Sequence, residues 1–291
     1  ERFPERPALV VRHQNIRWSY AEYRREVDRL AAALLALGIE PGDRVGIWAP
    51  NCHEWCLTQY ATARIGAIMV CINPAYRLYE LEYALNKVQC KVIIAAERFK
   101  TSDYLGMLQT LAPELARATP GHLDAHKLPH LKTVIRMGDT VTPGMFNFAA
   151  IRAAVTAADI ARVDSVAAHL RPGDPINIQF TSGTTGNPKG ATLTHLNILN
   201  NGRIVGAGMR LTERDRLCIP VPLYHCFGMV MGSLACITHG AAAVFPADAF
   251  DPLATLETVA AERCTALHGV PTMFIAELDH PRFAEFDLAT L

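Results

Sequence analysis

A cluster of hydroxyl, glycine and lysine residues follows an apolar stretch in the middle of the chain. It covers residues 181–190 and reads Thr-Ser-Gly-Thr-Thr-Gly-Asn-Pro-Lys-Gly. Glycines permit positive φ and let the backbone approach a ligand closely, and successive backbone N–H groups in such a turn form a concavity that fits an anion. The four hydroxyl groups and the Lys189 ammonium add further donors. Because hydrogen bonds to charged groups contribute about 1.5–3 kcal/mol each, this composition predicts a loop that binds phosphate.

The sequence excludes two familiar phosphate-binding motifs. A Walker A sequence requires Gly, four residues and then Gly-Lys-Ser/Thr, whereas Lys189 follows Pro188 and precedes Gly190. The G-x-G-x-x-G fingerprint of dinucleotide-binding proteins is also absent. The alternative interpretation is a surface loop without a ligand. The order of the hydroxyl residues, directly behind a predicted buried strand, favours phosphate binding.

A second candidate site lies in Pro-Leu-Tyr-His-Cys-Phe-Gly, residues 222–228. His225 follows a predicted strand and precedes an apolar helix, so its side chain is placed to face a cleft; the alternative is a structural histidine at a strand end. The apolar helix contains Met229, and Met fills irregular space. The helix is therefore either core or the lining of a tube for an alkyl chain. Each CH₂ of an alkyl chain buried there would contribute about 0.8 kcal/mol.

The opposite wall of that pocket is predicted in His-Gly-Val-Pro-Thr-Met-Phe, residues 268–274, through Gly269, Val270 and Pro271. The cluster of Cys52, His53 and Cys56 has no second pair of ligands nearby. It therefore does not predict a metal site.

The elements that must position these residues alternate between short apolar strands and amphipathic helices, which predicts an α/β layered fold with largely parallel sheets. Ser19 and Glu22 have the spacing of a capping box before a helix that ends at Gly38. Asn51 and Glu54 have the same spacing before the next predicted helix. Strands are also predicted in "AIMVCINP", "KVIIAA", "LKTVIRMG", "INIQFTS", "RLCIPVP", "AAAVFP" and "CTALHGVP".

The bulk composition narrows the class of protein. Of the 291 residues, 50% are hydrophobic and 19% charged, so a large core is available. Lys plus Arg and Asp plus Glu both number 28, which gives no reason to expect binding to nucleic acid. The apolar run after Phe227 is broken by His239 and Gly240, so no transmembrane segment is predicted. The eight Cys lie mostly in apolar surroundings and favour a reducing compartment, either cytoplasm or mitochondrial matrix.

The segment "FTSGTTGNPKG" resembles the signature loop of the adenylate-forming superfamily, which includes acyl-CoA synthetases, luciferases and peptide-synthetase adenylation domains. Further similarity runs through "INPAYRLYELEYAL", "DPINIQFTSGTTG", "VPLYHCFG" and "GVPTMF" and covers essentially the whole chain. Within the superfamily, the chain is most similar to acyl-CoA synthetases of the medium-chain type.

The resemblance implies that a carboxylic acid attacks the α-phosphate of ATP to give an acyl-adenylate, and that CoA then displaces AMP. It implies ATP and Mg²⁺ as cofactors and CoA as co-substrate. Lys189 and His225 are the implied catalytic residues, with His225 positioning the carboxylate, and Thr184 is the implied Mg²⁺ contact. The implied phosphate-binding residues are Thr181, Ser182, Gly183, Thr184, Thr185, Gly186, Asn187, Pro188 and Lys189.

The resemblance also implies a partial N-terminal AMP-binding domain of αβαβα layering. Residues 51–195 would form a first subdomain that ends in the phosphate loop, and residues 1–50 with 196–291 a second. Members of the family carry further on an aromatic-Gly-x-Thr-Glu stretch and a C-terminal lid with a catalytic Lys, which this chain lacks. We expect the isolated chain to be inactive. An acceptor other than CoA, a non-catalytic nucleotide-binding protein and a homo-oligomer all stay open.

Overall fold

The computed structural model describes residues 2–181 and 188–291. Strands and helices alternate along most of the chain. The strands are β1 Pro7–Val11, β2 Ile16–Ser19, β3 Arg44–Trp48, β4 Ile68–Cys71, β5 Val92–Ala95, β6 Arg98–Phe99, β7 Ser102–Asp103, β8 Thr133–Arg136, β9 Phe146–Asn147, β10 Pro175–Thr181, β11 Lys189–Thr194, β12 Arg216–Cys218, β13 Ala242–Phe245 and β14 Ala266–Leu267. The helices are α1 Tyr20–Ala36, α2 His53–Arg64, α3 Leu78–Lys87, α4 Tyr104–Leu111, α5 Phe148–Ala153, α6 Ala157–Ala167, α7 His195–Gly208, α8 Ala235–His239, α9 Pro252–Glu262 and α10 Pro271–Leu278.

The chain forms two compact units. Unit 1 comprises Glu1–Arg25, Pro50–Cys56 and Leu196–Leu291, and unit 2 comprises Glu26–Ala49 and Leu57–His195.

In the described part of unit 2, a seven-stranded sheet has the order β11-β10-β4-β3-β5-β8-β9. Neighbours pair in parallel, except for β10 and β11, which form an antiparallel hairpin. Every residue of β4, β5 and β8 is buried, as expected for parallel strands covered on both faces. The carboxyl ends of the parallel strands lie at one edge, where open α/β sheets bind their ligands.

Among the described residues of unit 1, five strands have the order β14-β12-β13-β1-β2. The N-terminal strand β1 pairs in parallel with β13 and antiparallel with β2. The carboxylate of Glu262, at the end of α9, accepts hydrogen bonds from Arg17 of β2 at 2.7 and 2.5 Å. These bonds hold the pKa of Glu262 below its ordinary value. The N-terminal hairpin is thus tied to a helix more than two hundred positions later in the chain.

The sheets correct one part of the predicted subdomain grouping. We expected residues 1–50 to belong with 196–291, but Glu26–Ala49 lies in unit 2. The reason is β3, which pairs with β4 on one side and β5 on the other, in the interior of the seven-stranded sheet. The sequence of a short apolar strand gives no indication of which sheet it joins.

The predicted α/β class and largely parallel sheets are confirmed. The capping box also forms, because the Ser19 N–H donates to Glu22 at 2.8 Å and the Glu22 N–H donates to the Ser19 hydroxyl at 3.2 Å. Gly38 has φ +77°, as its position after α1 requires. No helix among the described residues is long and apolar enough to cross a membrane.

One local prediction was wrong, and one predicted helix forms with a different helix type at its start. Asn51 does not cap α2: its side chain binds Val221 and Leu223, and Gln14 accepts the His53 N–H at 2.7 Å instead. The apolar helix after His225 begins as a π-helix, Phe227–Leu234, before it continues as α8. The partners of Asn51 are remote in sequence, and the start of the helix packs closely against the backbone before it. The spacing of apolar residues in the sequence indicates neither.

Candidate functional site

β10 and β11 bring Thr181 and Lys189 side by side at one end of their hairpin. The register pairs these two residues, and the Thr181 hydroxyl donates to the Lys189 carbonyl at 3.4 Å. Both residues are exposed. Because β10 runs parallel to β4, this end of the hairpin lies at the carboxyl edge of the sheet. Thr181 and Lys189 therefore stand where a ligand is expected in this kind of fold.

The predicted phosphate-binding residues divide into two groups. Thr181, Pro188 and Lys189 are described, and they border the segment from both sides. The others lie outside the described residues, including the implied Mg²⁺ contact, and their roles stay predictions. They are Ser182, Gly183, Thr184, Thr185, Gly186 and Asn187.

The Lys189 ammonium has no carboxylate partner in the described part of the chain. The lysines that form salt bridges there are Lys91, with Asp43, and Lys132, with Asp124. An exposed cation without a protein counter-ion is free to interact with an anionic ligand, and its attraction for phosphate is strongest where the ligand is partly desolvated. The hairpin end thus presents one positive charge and one hydroxyl side by side.

His225 of unit 1 lies in the turn that leads into the π-helix. Its backbone N–H donates to the Pro222 carbonyl at 3.2 Å, and its Nδ1 accepts the Phe227 N–H at 3.1 Å. A ring nitrogen that accepts a hydrogen bond carries no proton, so the neutral ring has its proton on Nε2. The side chain is exposed. His225 therefore offers an oriented Nε2–H donor to a ligand.

The π-helix packs closely against that turn. A Cβ on Gly228 would lie 2.4 Å from the Pro222 carbonyl oxygen, so only glycine fits there. Met229 is 0% exposed, which makes it a core residue in this structure rather than the lining of an open tube. The prediction that Met229 lines an acyl pocket thus has no support from its exposure.

The segment 268–274 contacts the same helix through His268. The Nε2 of His268 lies 3.1 Å from the Met231 carbonyl, and its ring meets the Phe227 ring edge-on with centroids 4.8 Å apart. Burial lowers the pKa of His268, so the neutral imidazole donates this bond at neutral pH. The two segments predicted to form one pocket are therefore brought together. The signal in the sequence is the histidine directly before Gly-Val-Pro.

The predicted wall residues differ in exposure. A Cβ on Gly269 would lie 2.9 Å from the Phe274 ring, so glycine allows that ring to pack over the backbone. Val270 is 40% exposed, and Pro271 is exposed as the first residue of α10. Val270 and Pro271 are accessible to a ligand, whereas Gly269 serves packing.

Sequence reasoning missed Glu277 on α10. Its carboxyl is 4% exposed, its Oε1 has no hydrogen-bond partner among the described residues, and burial raises its pKa to about 7. It borders an apolar recess of about 500 Å³. The signal is one acidic residue within "PTMFIAEL". The lining residues are Leu256, Val259, Ala266, Leu267, Phe274, Glu277, Leu278, Phe283, Leu288 and Leu291.

No group of three or more His, Cys, Asp or Glu side chains has the geometry of a metal site within residues 2–181 and 188–291. Cys52 and Cys56 are buried, and burial raises the pKa of both thiols. Thiols in that state are poor metal ligands, because the thiolate is the binding form.

Comparisons with known proteins agree with the motifs. A family model described as AMP-binding enzyme matches residues 1–291. The mitochondrial medium-chain acyl-CoA ligase ACSF2 of Danio rerio is 44% identical over 293 residues, covering 100% of this chain and 48% of that protein. The putative acyl-CoA synthetase YngI of Bacillus subtilis (strain 168) is 43% identical over 289 residues, covering 99% of this chain and 52% of that protein. The chain thus spans about half the length of the curated relatives it matches.

Among solved structures, the inhibitor-bound N-terminal domain of FACL13 from Mycobacterium tuberculosis has a TM-score of 0.82 and 26% sequence identity. The match covers 99% of this chain and 65% of that one. The resemblance drawn from the motifs is confirmed, and so is the predicted fold of an acyl-CoA ligase N-terminal domain.

Proposed function

Because this chain belongs to the family of AMP-binding enzymes, we propose that its protein is an ATP-dependent acid–CoA ligase that activates a medium-chain fatty acid. One observation carries the proposal: the 44% identity over the whole chain to a protein named medium-chain acyl-CoA ligase. The hairpin end with Thr181 and Lys189 supports it, since it presents the exposed Lys189 ammonium where a nucleotide phosphate would bind.

The proposed reaction has two steps. In the first, a carboxylate oxygen of the acid attacks the α-phosphorus of ATP, the bond from that phosphorus to the bridging oxygen breaks, and pyrophosphate leaves with the electron pair. In the second, the CoA sulfur attacks the acyl carbon and loses its proton, and AMP leaves as the bond from its oxygen to that carbon breaks. The barrier of the first step depends on stabilising the charge that develops on pyrophosphate.

We assign that stabilisation to Lys189 and Thr181, together with residues 182–188. The Lys189 ammonium is exposed and has no carboxylate partner in the described part of the chain, and the Thr181 hydroxyl, which donates to the Lys189 carbonyl, leaves its oxygen exposed beside it. Lys189 breaks no salt bridge with the described residues when it binds the phosphates. Catalysis here requires donors that are already in place, because reorienting them would cost free energy in the transition state.

We assign binding of the acid's carboxylate to His225. Its Nδ1 already accepts the Phe227 N–H, so the exposed Nε2–H is the donor available to a ligand. A carboxylate needs no general base to attack phosphorus, so His225 orients the acid rather than moving a proton. Val270 and Pro271 are the accessible candidates for the wall of the acyl pocket.

Mg²⁺ would act through the nucleotide. This ion prefers oxygen ligands, keeps several waters and is usually held by substrate phosphates with one or two protein oxygens. Hydroxyl groups of the segment, with Thr181 exposed at its border and Thr184 within it, are ligands of that type. When bound, Mg²⁺ would neutralise charge on the phosphates.

The activity is proposed for the full-length protein, since the chain spans about half the length of its relatives. For the 291-residue chain alone we expect weak phosphate binding and no useful turnover. The cellular compartment of the protein is also a proposal, drawn from the names of its relatives. The ACSF2 relatives are named mitochondrial and the Bacillus relative is bacterial, so matrix and cytoplasm both stay proposals.

Two other functions make different predictions. A ligase with another acceptor, such as a carrier-protein thiol, would form the acyl-adenylate but would not release AMP upon addition of CoA. A non-catalytic nucleotide-binding protein would bind MgATP and would not form the adenylate at all.

Acid-dependent exchange of labelled pyrophosphate into ATP by the full-length protein tests the proposal. We expect exchange to rise with acids of medium chain length and CoA to draw the adenylate to the thioester. Exchange without thioester formation would favour a different acceptor, and MgATP binding without exchange would favour the non-catalytic protein.

A further inference from the structure

One segment of unit 2, residues 73–83, contacts the chain on both sides of residues 182–187. On the β10 side, the ring of Tyr76 packs edge-on against Phe180 with centroids 6.5 Å apart. On the β11 side, the Tyr83 hydroxyl of α3 donates to the Pro188 carbonyl at 3.3 Å. These contacts are made at Phe180, two positions before residues 182–187, and at Pro188, directly after them.

The segment is itself firmly anchored. The Trp48 indole N–H donates to the Asn73 carbonyl at 3.1 Å, and the buried Tyr104 hydroxyl donates to the Pro74 carbonyl at 2.7 Å. The rings of Trp48 and Tyr104 stack with centroids 3.8 Å apart. Burial raises the pKa of Tyr104, so its hydroxyl keeps the proton that it donates. The turn "NPAY", residues 73–76, is thus fixed to the core of the sheet, and its contact with Phe180 holds the hairpin against that core.

The Pro188 carbonyl has a particular importance for Lys189. The carbonyl oxygen of one residue and the N–H of the next belong to one rigid peptide plane. A hydrogen bond to the Pro188 oxygen therefore orients the plane from which the Lys189 backbone starts. On the other side of Lys189, its own carbonyl accepts the Thr181 hydroxyl. The backbone of Lys189 is held from both sides, while its ammonium has no carboxylate partner among the described residues.

We propose that Tyr83 is a positioning residue, whose hydroxyl orients Lys189 for the phosphates of ATP through the Pro188 carbonyl. The proposal rests on the proposed function of this hairpin as the nucleotide-phosphate site. Tyr83 touches neither nucleotide nor acid in this account and acts only through Lys189. Its removal should weaken MgATP binding and leave the interaction with the fatty acid unchanged.

The test is a double-mutant cycle in the full-length protein, with the dissociation constant of MgATP as the readout. Tyr83→Phe removes only the hydroxyl, so we expect the dissociation constant to rise about 3- to 10-fold, as for the loss of one hydrogen bond. In a Lys189→Ala background the same change should have less than about a 2-fold effect, because the residue through which it acts is gone. Tyr79→Phe is the matched control, since Tyr79 lies on the same helix and is 68% exposed.

Equal effects of Tyr83→Phe in the two backgrounds would overturn the proposal, and so would an effect no larger than that of Tyr79→Phe. An increase in the KM for the acid equal to the increase for ATP would also contradict it, because that pattern indicates a general structural loss. Pyrophosphate exchange by the unaltered protein tests the proposed function separately. MgATP binding without exchange would overturn the ligase but keep the Tyr83 comparison valid, and no MgATP binding at all would overturn both.

Discussion

The Nε2 of His268 donates a 3.1 Å hydrogen bond to the backbone carbonyl of Met231. This bond joins the end of β14 to the π-helix, so the two segments that the sequence assigned to one acyl pocket are in direct contact. The Phe227 ring covers His268 from the side and helps to bury it. The Nε2–H makes this bond from a neutral ring, which burial favours.

The lowered pKa of His268 should make the free energy of unfolding depend on pH below neutrality. Its folded-state pKa is lowered from 6.5, so the unfolded chain binds more protons than the folded one as the pH falls below that value. Stability should therefore decrease on acidification through this range. His268→Gln should remove this part of the pH dependence and cost about 1 kcal/mol at neutral pH. Urea unfolding of both chains between pH 5 and 8, in steps of about half a unit, measures this. Parallel pH profiles would contradict the assignment.

Glu277 should make the free energy of unfolding change with pH in the opposite direction. Its pKa is raised from 4.5 to about 7 by burial, so between these values the folded chain keeps a proton that the unfolded chain has lost. Stability should fall as the pH rises through that window and then level off. At pH values above this window, Glu277→Gln should be more stable than the unaltered chain by about 1–3 kcal/mol. At pH values below it, the two chains should have nearly equal stability. Unfolding curves of the 291-residue chain test this, and a difference that does not vary with pH would argue against a buried titrating carboxyl.

Gly228 should be indispensable for the turn that holds His225. Gly228→Ala places a Cβ 2.4 Å from the Pro222 oxygen, so the π-helix or the turn must move. We expect a loss of about 1–3 kcal/mol in the free energy of unfolding. Gly208→Ala is the control, because nothing lies within 4 Å of a Cβ there and alanine favours a helix. Equal melting temperatures for the two variants would show that the turn is not constrained.

His225 should contribute to acid binding and not to nucleotide binding. His225→Ala removes the Nε2–H donor, so the KM for the acid should rise about 10-fold, as for a lost hydrogen bond to a charged group, while the KM for ATP stays within about 2-fold. His130→Ala, at another exposed histidine, serves as the control. A rise in both KM values to the same extent would indicate misfolding of the turn rather than the loss of a ligand contact.

Local chemistry in the sequence predicted the elements well where the decisive partners are near neighbours. The Ser19–Glu22 capping box forms, since each of its bonds closes within three residues. The strand before Thr181 was also predicted, because apolar residues bounded by turn residues specify it without reference to the rest of the chain. The fold class followed from the alternation of such elements.

Non-local partners explain what the sequence did not predict. β1 finds its parallel neighbour β13 more than two hundred residues away, and Asn51 bonds the loop at Val221 and Leu223 rather than its own helix. The segment "NPAY" forms a turn, in which the Tyr76 N–H donates to the Asn73 carbonyl at 3.0 Å. Its contact with Phe180 depends on how β4 and β10 pair, which no local pattern encodes.

The central claim is that the hairpin end bearing Lys189 stabilises the departing pyrophosphate. The most direct test is acid-dependent pyrophosphate–ATP exchange by the full-length protein with Lys189→Ala, beside Lys127→Ala at another exposed lysine of unit 2. We predict a loss of about 10²- to 10³-fold for Lys189→Ala and little change for Lys127→Ala. Exchange by Lys189→Ala at the rate of the unaltered protein would contradict the account.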